Sequence, residues 1–223
     1  MHKPKLLNNI AFIAFKFFVF LKVPINNYTL MITNKDLVEK TKPVLKDSYL
    51  QVFACLLLAS LLPQIVLSLS PTNVLLNIVI VCVTAYIQVG VALYSLEVYK
   101  GKKVGLETIF SRFNGFKPII FTLIYTLIVF LGLILLVVPG IILGLMYSQV
   151  FYILADNPDI GVTEAFNMSS KMMKNNMLQL FMLNLEALLY FIAGIFTLLI
   201  WWVWLVPRYY VAFAGFYEAI KNE

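Results

Sequence analysis

Charged side chains are scarce in this sequence. Seventeen Lys and Arg and eleven Asp and Glu make up 13% of its 223 residues, against about 25% in a soluble domain. Cysteine and histidine are scarcer still. Cys55 and Cys82 lie inside apolar runs with no C-x-x-C, and His2 stands alone, so neither a disulfide framework nor a zinc site is expected. No phosphate-binding loop, nucleophile elbow or paired ligand set occurs, so no catalytic residue, metal or cofactor is expected and the chain reads as no enzyme. The basic residues fall between hydrophobic runs and make no solvated basic face, which argues against nucleic acid. Short alternating strands are missing too, which excludes a membrane barrel.

What remains is apolar sequence: 61% of residues are hydrophobic, more than one water-exposed globule can bury. A spanning helix needs about 20 mostly apolar residues. Six candidate runs occur, at about Tyr49–Leu69, Val74–Tyr99, the shorter Pro118–Gly132, Leu135–Ala155, Met177–Phe196 and Leu199–Ile220. The expected fold is therefore all-α, a polytopic transmembrane bundle of about six spans in three hairpins. Pro63, Pro139 and Pro207 are expected to kink their helices. Near Gly132 and Thr197 the turns hold almost no polar residue.

Charge placement orients the bundle. Segments 32–48, 100–117 and 156–176 hold four, five and two Lys or Arg, whereas turns 70–73, 132–134 and 197–198 hold none. Cytoplasmic loops carry the excess of basic residues, so both termini are expected in the cytoplasm. Lys100, Lys102, Lys103, Arg112 and Lys117 form the richest cluster, read as facing anionic lipid headgroups. Trp201, Trp202 and Trp204 suit the outer interface. Residues 1–30 are set apart as an extension. Their apolar stretch Ile10–Val23 is short and contains Lys16 and Lys22. It is either an interfacial helix or lies upstream of a true start at Met31. Residues 31–223 form a single membrane domain.

That domain shows a threefold pattern, with a short amphipathic stretch before each hairpin. Leu106, Ile109, Phe110 and Phe113 fall on one helical face, as do Val162, Ala165, Phe166, Ser169, Met172 and Met173. Leu37, Thr41, Val44 and Leu45 make a weaker face, interrupted by Pro43. Thr33 and Asp36 have the spacing of a capping box. Asp36 precedes Tyr49 by thirteen residues and Glu164 precedes Met177 by thirteen. Three copies of one unit are expected, a cytoplasmic amphipathic helix followed by a hairpin.

The run Val138-Pro139-Gly140-Ile141-Ile142, then Tyr147-Ser148, Tyr152-Ile153-Leu154-Ala155-Asp156-Asn157-Pro158-Asp159 and Glu164-Ala165, resembles the signature of domain of unknown function family 975. Trp204-Leu205-Val206-Pro207 and Phe216-Tyr217 resemble it as well. The resemblance covers about Met31 to Ile220, with the family starting near Met31. It implies a bacterial, multi-pass cell-membrane protein and no particular activity. One departure is Gly161, where the family has a helix-capping Ser.

Polar residues inside the runs carry the remaining signal: Gln64, Asn77, Gln88, Glu97, Gln149, Asn184, Glu186 and Arg208. Amides there serve as interhelical glue, and Glu97 can reach toward Lys100. Asp156 and Asp159 invite a cation reading, but Pro158 explains them better as a helix stop and restart. Glu186 and Arg208 lie at matching depths in one hairpin and are expected to form an intramembrane ion pair, since an unpaired charge there costs at least about 2.5–3.5 kcal/mol. The alternative is that Arg208 reaches outward beside Trp204. The functional expectation is a noncatalytic scaffold contacting anionic lipids and an unknown protein partner. The alternative is a small transporter using the Glu186/Arg208 pair. The topology has a direct check. A cysteine replacing Thr72, in a chain lacking Cys55 and Cys82, should react with an impermeant thiol reagent from outside; reaction only after permeabilisation would overturn the orientation.

Overall fold

The computed structural model describes residues 33–46, 48–69, 72, 74–111, 115–196 and 201–221. The extension 1–30 and Arg112 lie outside the described residues. The described chain is helical with no strand. In order the helices are α1 (Asn34–Leu45), α2 (Tyr49–Leu69), α3 (Val74–Tyr99), α4 (Glu107–Phe110), α5 (Lys117–Leu135), α6 (Val137–Met146), α7 (Val150–Asp156), α8 (Val162–Met173), α9 (Met177–Phe196) and α10 (Trp202–Ile220).

Four segments are long and apolar enough to cross a membrane: α3, α5, Val137–Asp156 (α6 with α7) and Met177–Gly194 in α9. The pair α1–α2, bent by 107°, would be a fifth if it counts as one span. Helix α10 falls short of that standard, and its position explains why. It packs against α1, α2, α3 and α9, and Leu205, Tyr209, Val211, Ala212, Ala214, Phe216 and Tyr217 on it are buried. A helix enclosed by other helices need not be apolar all round, so it carries Arg208, Glu218 and three tyrosines. The lipid-like surface lies elsewhere. On α3, Leu75 is 78% exposed, and on α5 Leu123, Phe130, Ile134 and Leu135 are exposed.

Long-range hydrogen bonds fix how the helices run. Gln51 Nε2 donates to the Val104 carbonyl at 3.3 Å, and Lys117 Nζ donates to the Pro158 carbonyl at 3.0 Å. Lys100 joins Glu218 at 3.0 Å. These contacts gather the starts of α2 and α5 with the ends of α3, α7 and α10. Trp202 Nε1 donates to the Phe191 carbonyl at 3.2 Å, which puts the start of α10 beside the later part of α9.

Locally, the structure follows some expectations and corrects others. Thr33 and Asp36 form the capping box: the Asp36 amide donates to Thr33 Oγ1 at 3.1 Å and the Thr33 amide to the Asp36 carboxylate at 3.2 Å. Helix α1 buries Leu37, Val38, Thr41 and Leu45, and α8 buries Ala165, Phe166, Ser169 and Met173. The middle stretch differs. Helix α4 has four residues, with Ile109 buried but Leu106 and Phe110 exposed, and Phe113 lies outside the described residues. Gly101 and Gly115 take positive φ of 77° and 69°, and Gly105 adds a third poor helix former, so a longer helix is not supported there.

Gly132 is not a turn. Helix α5 continues to Leu135, and the chain reverses at Leu136, which is fully extended (φ −169°, ψ 153°). A Cβ on Gly132 would come within 2.9 Å of the Gly140 Cα, so the two glycines let α5 and α6 approach closely. Pro139 does not kink a span either. It lies in the first turn of α6, where its missing N–H has no helical partner to lose. Pro63 and Pro207 fall inside α2 and α10, each a single helix. The fourth run is interrupted at Tyr147–Gln149. Ser148 Oγ donates to the Leu145 carbonyl at 2.8 Å and Ser169 Oγ to the Met146 carbonyl at 2.8 Å, so side chains serve carbonyls that the break releases.

Gly90 tests the packing of α4 on α3. A Cβ there would overlap the Ile109 carbonyl oxygen and sit 2.7 Å from its carbon, and backbone cannot swing aside. Gly90→Ala should destabilise the purified protein by about 1–3 kcal/mol, read as a lower midpoint of thermal unfolding. Gly101→Ala, which meets nothing within 4 Å, should not crowd α4, so its cost comes from the positive φ alone.

Candidate functional site

The densest polar cluster ties three helix ends together. Asp156 ends α7, where the helix dipole disfavours an acid. Three groups compensate: Lys221, which forms an ion pair with Oδ2; Lys100, 3.6 Å from Oδ1; and the Tyr217 hydroxyl, which donates to Oδ2 at 3.3 Å. Lys100 also holds Glu218 at 3.0 Å. Burial alone would lower the Lys100 pKa, but the Glu218 and Asp156 carboxylates outweigh it and the net shift is upward. The ammonium therefore stays charged across the physiological range. Tyr152 stacks on Tyr217 at 5.6 Å beneath the cluster. The chemistry here is mutual neutralisation of paired charges.

This corrects the reading of the basic segment as uniformly turned toward lipid. Lys100 turns inward to two carboxylates, and Lys117 donates to the Pro158 carbonyl. Lys102 pairs with Glu97 at 2.5 Å, so Glu97 reaches Lys102 and not Lys100. Lys103 is exposed. Asp156 is more than a helix stop: an acid in a last helical turn needs cations, and here Lys100 and Lys221 supply them. No group of three or more His, Cys, Asp or Glu fit to hold a metal occurs among the described residues.

Glu186 and Arg208 do not pair. Glu186 Oε1 accepts a hydrogen bond from the Tyr209 hydroxyl at 3.1 Å, while Arg208 Nε donates to the Val38 carbonyl on α1 at 3.4 Å. Consecutive residues on a helix point about 100° apart. Tyr209 therefore takes the side of α10 that faces α9, and Arg208 the side that faces α1. The matching depths were legible in the sequence, but the rotation of α10 was not. Helix α1 also carries Lys35, Asp36, Glu39 and Lys40, all exposed.

Two cavities meet where α2, α3, α7 and α10 converge. One, about 430 Å³, is lined by Ser60, Gln64, Thr84, Gln88, Ser148, Tyr152 and Tyr210 among apolar residues. The other, about 770 Å³, runs between α2, α9 and α10 and is walled by Leu57, Leu61, Leu188, Phe191 and Phe213. Leu56, Ser60, Tyr152 and Tyr210 line both. No charged side chain lines either one.

These features define the class: a helical protein with several helices apolar enough to cross a membrane and a cluster of paired charges where the ends of α3, α7 and α10 meet. The chain belongs to the family described as "Protein of unknown function (DUF975)", which matches residues 3–223. That match begins well before Met31 and so takes in nearly all of the stretch set apart as an extension. No curated protein and no solved structure matches the chain.

The Glu186–Tyr209 bond and the missing ion pair make opposite predictions for two cycles. Tyr209→Phe should cost about 1–3 kcal/mol, since a carboxylate loses its donor, and should couple to Glu186→Gln. Arg208→Leu and Glu186→Gln should add without coupling in thermal unfolding. Strong coupling between Glu186 and Arg208 would restore the ion pair.

Proposed function

We propose that this is a noncatalytic multi-pass protein of the bacterial cell membrane, its six helical units crossing as three hairpins with both termini cytoplasmic. It acts as a scaffold that holds anionic lipids and a protein partner at its basic end. One observation carries the reading. Lys46, Lys103, Lys171 and Lys174 are exposed and make no ion pair among the described residues, although carboxylates nearby are claimed by Lys100, Lys102 and Lys221. Cations left over after internal pairing, beside helices α1 and α8 that each bury one face, suit anionic headgroups, at about 1 kcal/mol per lysine near the surface. The alternating helix directions seen in the cross-contacts support the hairpins. A transporter reading, motivated by the threefold repeat and by Glu186, loses the Glu186/Arg208 pair and is left with the repeat and the polar cavity between α2, α3, α7 and α10.

The test is lipid retention. The intact protein, purified in mild detergent and analysed by mass spectrometry, should carry anionic phospholipid in excess of zwitterionic phospholipid. Combining Lys103→Glu, Lys171→Glu and Lys174→Glu should lower that excess by at least about tenfold, given about 1 kcal/mol per lysine removed. An unchanged lipid profile would sink the proposal.

A further inference from the structure

We infer that the joined cavities between α2, α3, α7, α9 and α10 bind a neutral amphiphile, a molecule with an uncharged hydroxyl- or ester-bearing head and an alkyl chain, in the manner of a diacylglycerol. The argument starts from groups that lack partners. The Gln64 amide, the Gln88 amide nitrogen and the hydroxyls of Tyr152 and Tyr210 line the smaller cavity and have no hydrogen-bond partner among the described residues; the Gln88 carbonyl accepts only a long 3.4 Å bond from Thr122. Gln88 stands eleven residues from the end of α3 and fourteen from its start. Gln64 lies fifteen residues along α2, about 22 Å from its beginning at about 1.5 Å per residue. Gln88 is thus flanked on either side by more than ten residues of α3, whereas Gln64 lies five residues from the end of α2. Polar groups at such depth are costly unless something supplies their bonds.

The cavity's neighbour indicates what does. Ser60, Tyr152 and Tyr210 are shared with the 770 Å³ groove, whose other walls are mostly apolar, among them Leu57, Leu61, Leu188, Phe191 and Phe213; Asn184 and Trp202 also line it, but their N–H groups already donate to the Leu180 and Phe191 carbonyls. Leu57, Leu61 and Leu188 are 39%, 46% and 53% exposed, so a guest entering through the groove comes from hydrocarbon. Water would satisfy the amides but not the groove, and a pure alkane the groove but not the amides. An amphiphile satisfies both. The absence of any charged lining residue selects a neutral head, because a phosphate or ammonium would find no counter-charge there. This site is independent of the basic end proposed to hold anionic lipid, and each can fail without the other.

The experiment uses the full chain in nanodiscs with a diacylglycerol carrying a diazirine on one acyl chain. Photolysis and peptide mapping should place the label on α2, α9 and α10 around Leu57, Leu188 and Phe213, and unlabelled diacylglycerol should compete, whereas phosphatidylglycerol should compete at least tenfold less well. Gln64→Leu combined with Tyr210→Phe should cut labelling about tenfold while leaving the retained anionic phospholipid unchanged. The same variant should melt no lower than wild type without the lipid, since it removes unpartnered polar groups, and should lose the stabilisation that diacylglycerol confers on wild type. If the variant does not accumulate, Tyr210→Phe alone supplies the comparison. Label spread evenly over the exposed faces of α5, equal competition by phosphatidylglycerol, or undiminished labelling of the variants would each overturn the inference. So would labelling that rises sharply in a chain starting at Met31, or a second copy cross-linked through the groove, because the groove would then have a protein occupant.

Discussion

The burial of α10 is the constraint on which the rest of the structure depends. This helix carries Arg208, Glu218, Tyr209, Tyr210 and Tyr217, a composition that cannot face hydrocarbon on all sides. Packing it against α1, α2, α3 and α9 turns four of those side chains, Arg208, Glu218, Tyr209 and Tyr217, into connectors. Tyr209 reaches Glu186 on α9, Arg208 reaches the backbone of α1, Tyr217 reaches Asp156 at the end of α7, and Glu218 receives Lys100 from the end of α3. Close approach completes the enclosure. At Gly215 a Cβ would collide with the Tyr99 ring of α3, so a small residue at that point sets how near the two helices come.

The same economy governs the charges. In a medium of low dielectric an ion is stable only with its partner in place, and removing one member is worse than removing both. Asp156 gathers two ammonium groups and a hydroxyl, and Lys100 answers two carboxylates. Each lysine drawn inward is one fewer available to lipid. What distinguishes Lys103, Lys171 and Lys174 from Lys100 and Lys117 is thus not their sequence neighbourhood but the prior claims on their neighbours. Polar groups without such claims, at Gln64, Gln88 and Tyr210, gather at the cleft instead.

Helix boundaries were largely legible in the sequence. Tyr49–Leu69, Val74–Tyr99 and Met177–Phe196 were readable from long apolar runs, the first in spite of Pro63, because backbone in hydrocarbon has to be helical throughout. The capping box at Thr33 and Asp36 and the buried faces of α1 and α8 were readable because i to i+3 and i to i+4 relations are local. Where one residue type serves two purposes, the reading failed. Gly132 had the look of a turn but is a contact between α5 and α6. Gly101, Gly105 and Gly115 outweighed an apolar face at Leu106–Phe113 that periodicity alone had favoured. Ser148 marked a break repaired by Ser169, a residue twenty-one positions away.

By itself, then, the sequence determined the all-helical class, the apolar segments, their approximate ends and the clustering of basic residues between them, since composition and short-range spacing suffice for each. It also placed Glu186 and Arg208 at comparable depths. Only the tertiary structure decided that they turn away from each other, that Asp156 anchors three helix ends, and which lysines remain unpaired. Those outcomes depend on how each helix is rotated about its axis, and rotation is set by which neighbours enclose it. A shift of one residue along α10 turns a side chain by about 100°, enough to exchange α9 for α1 as its partner, and no count along the chain records that choice.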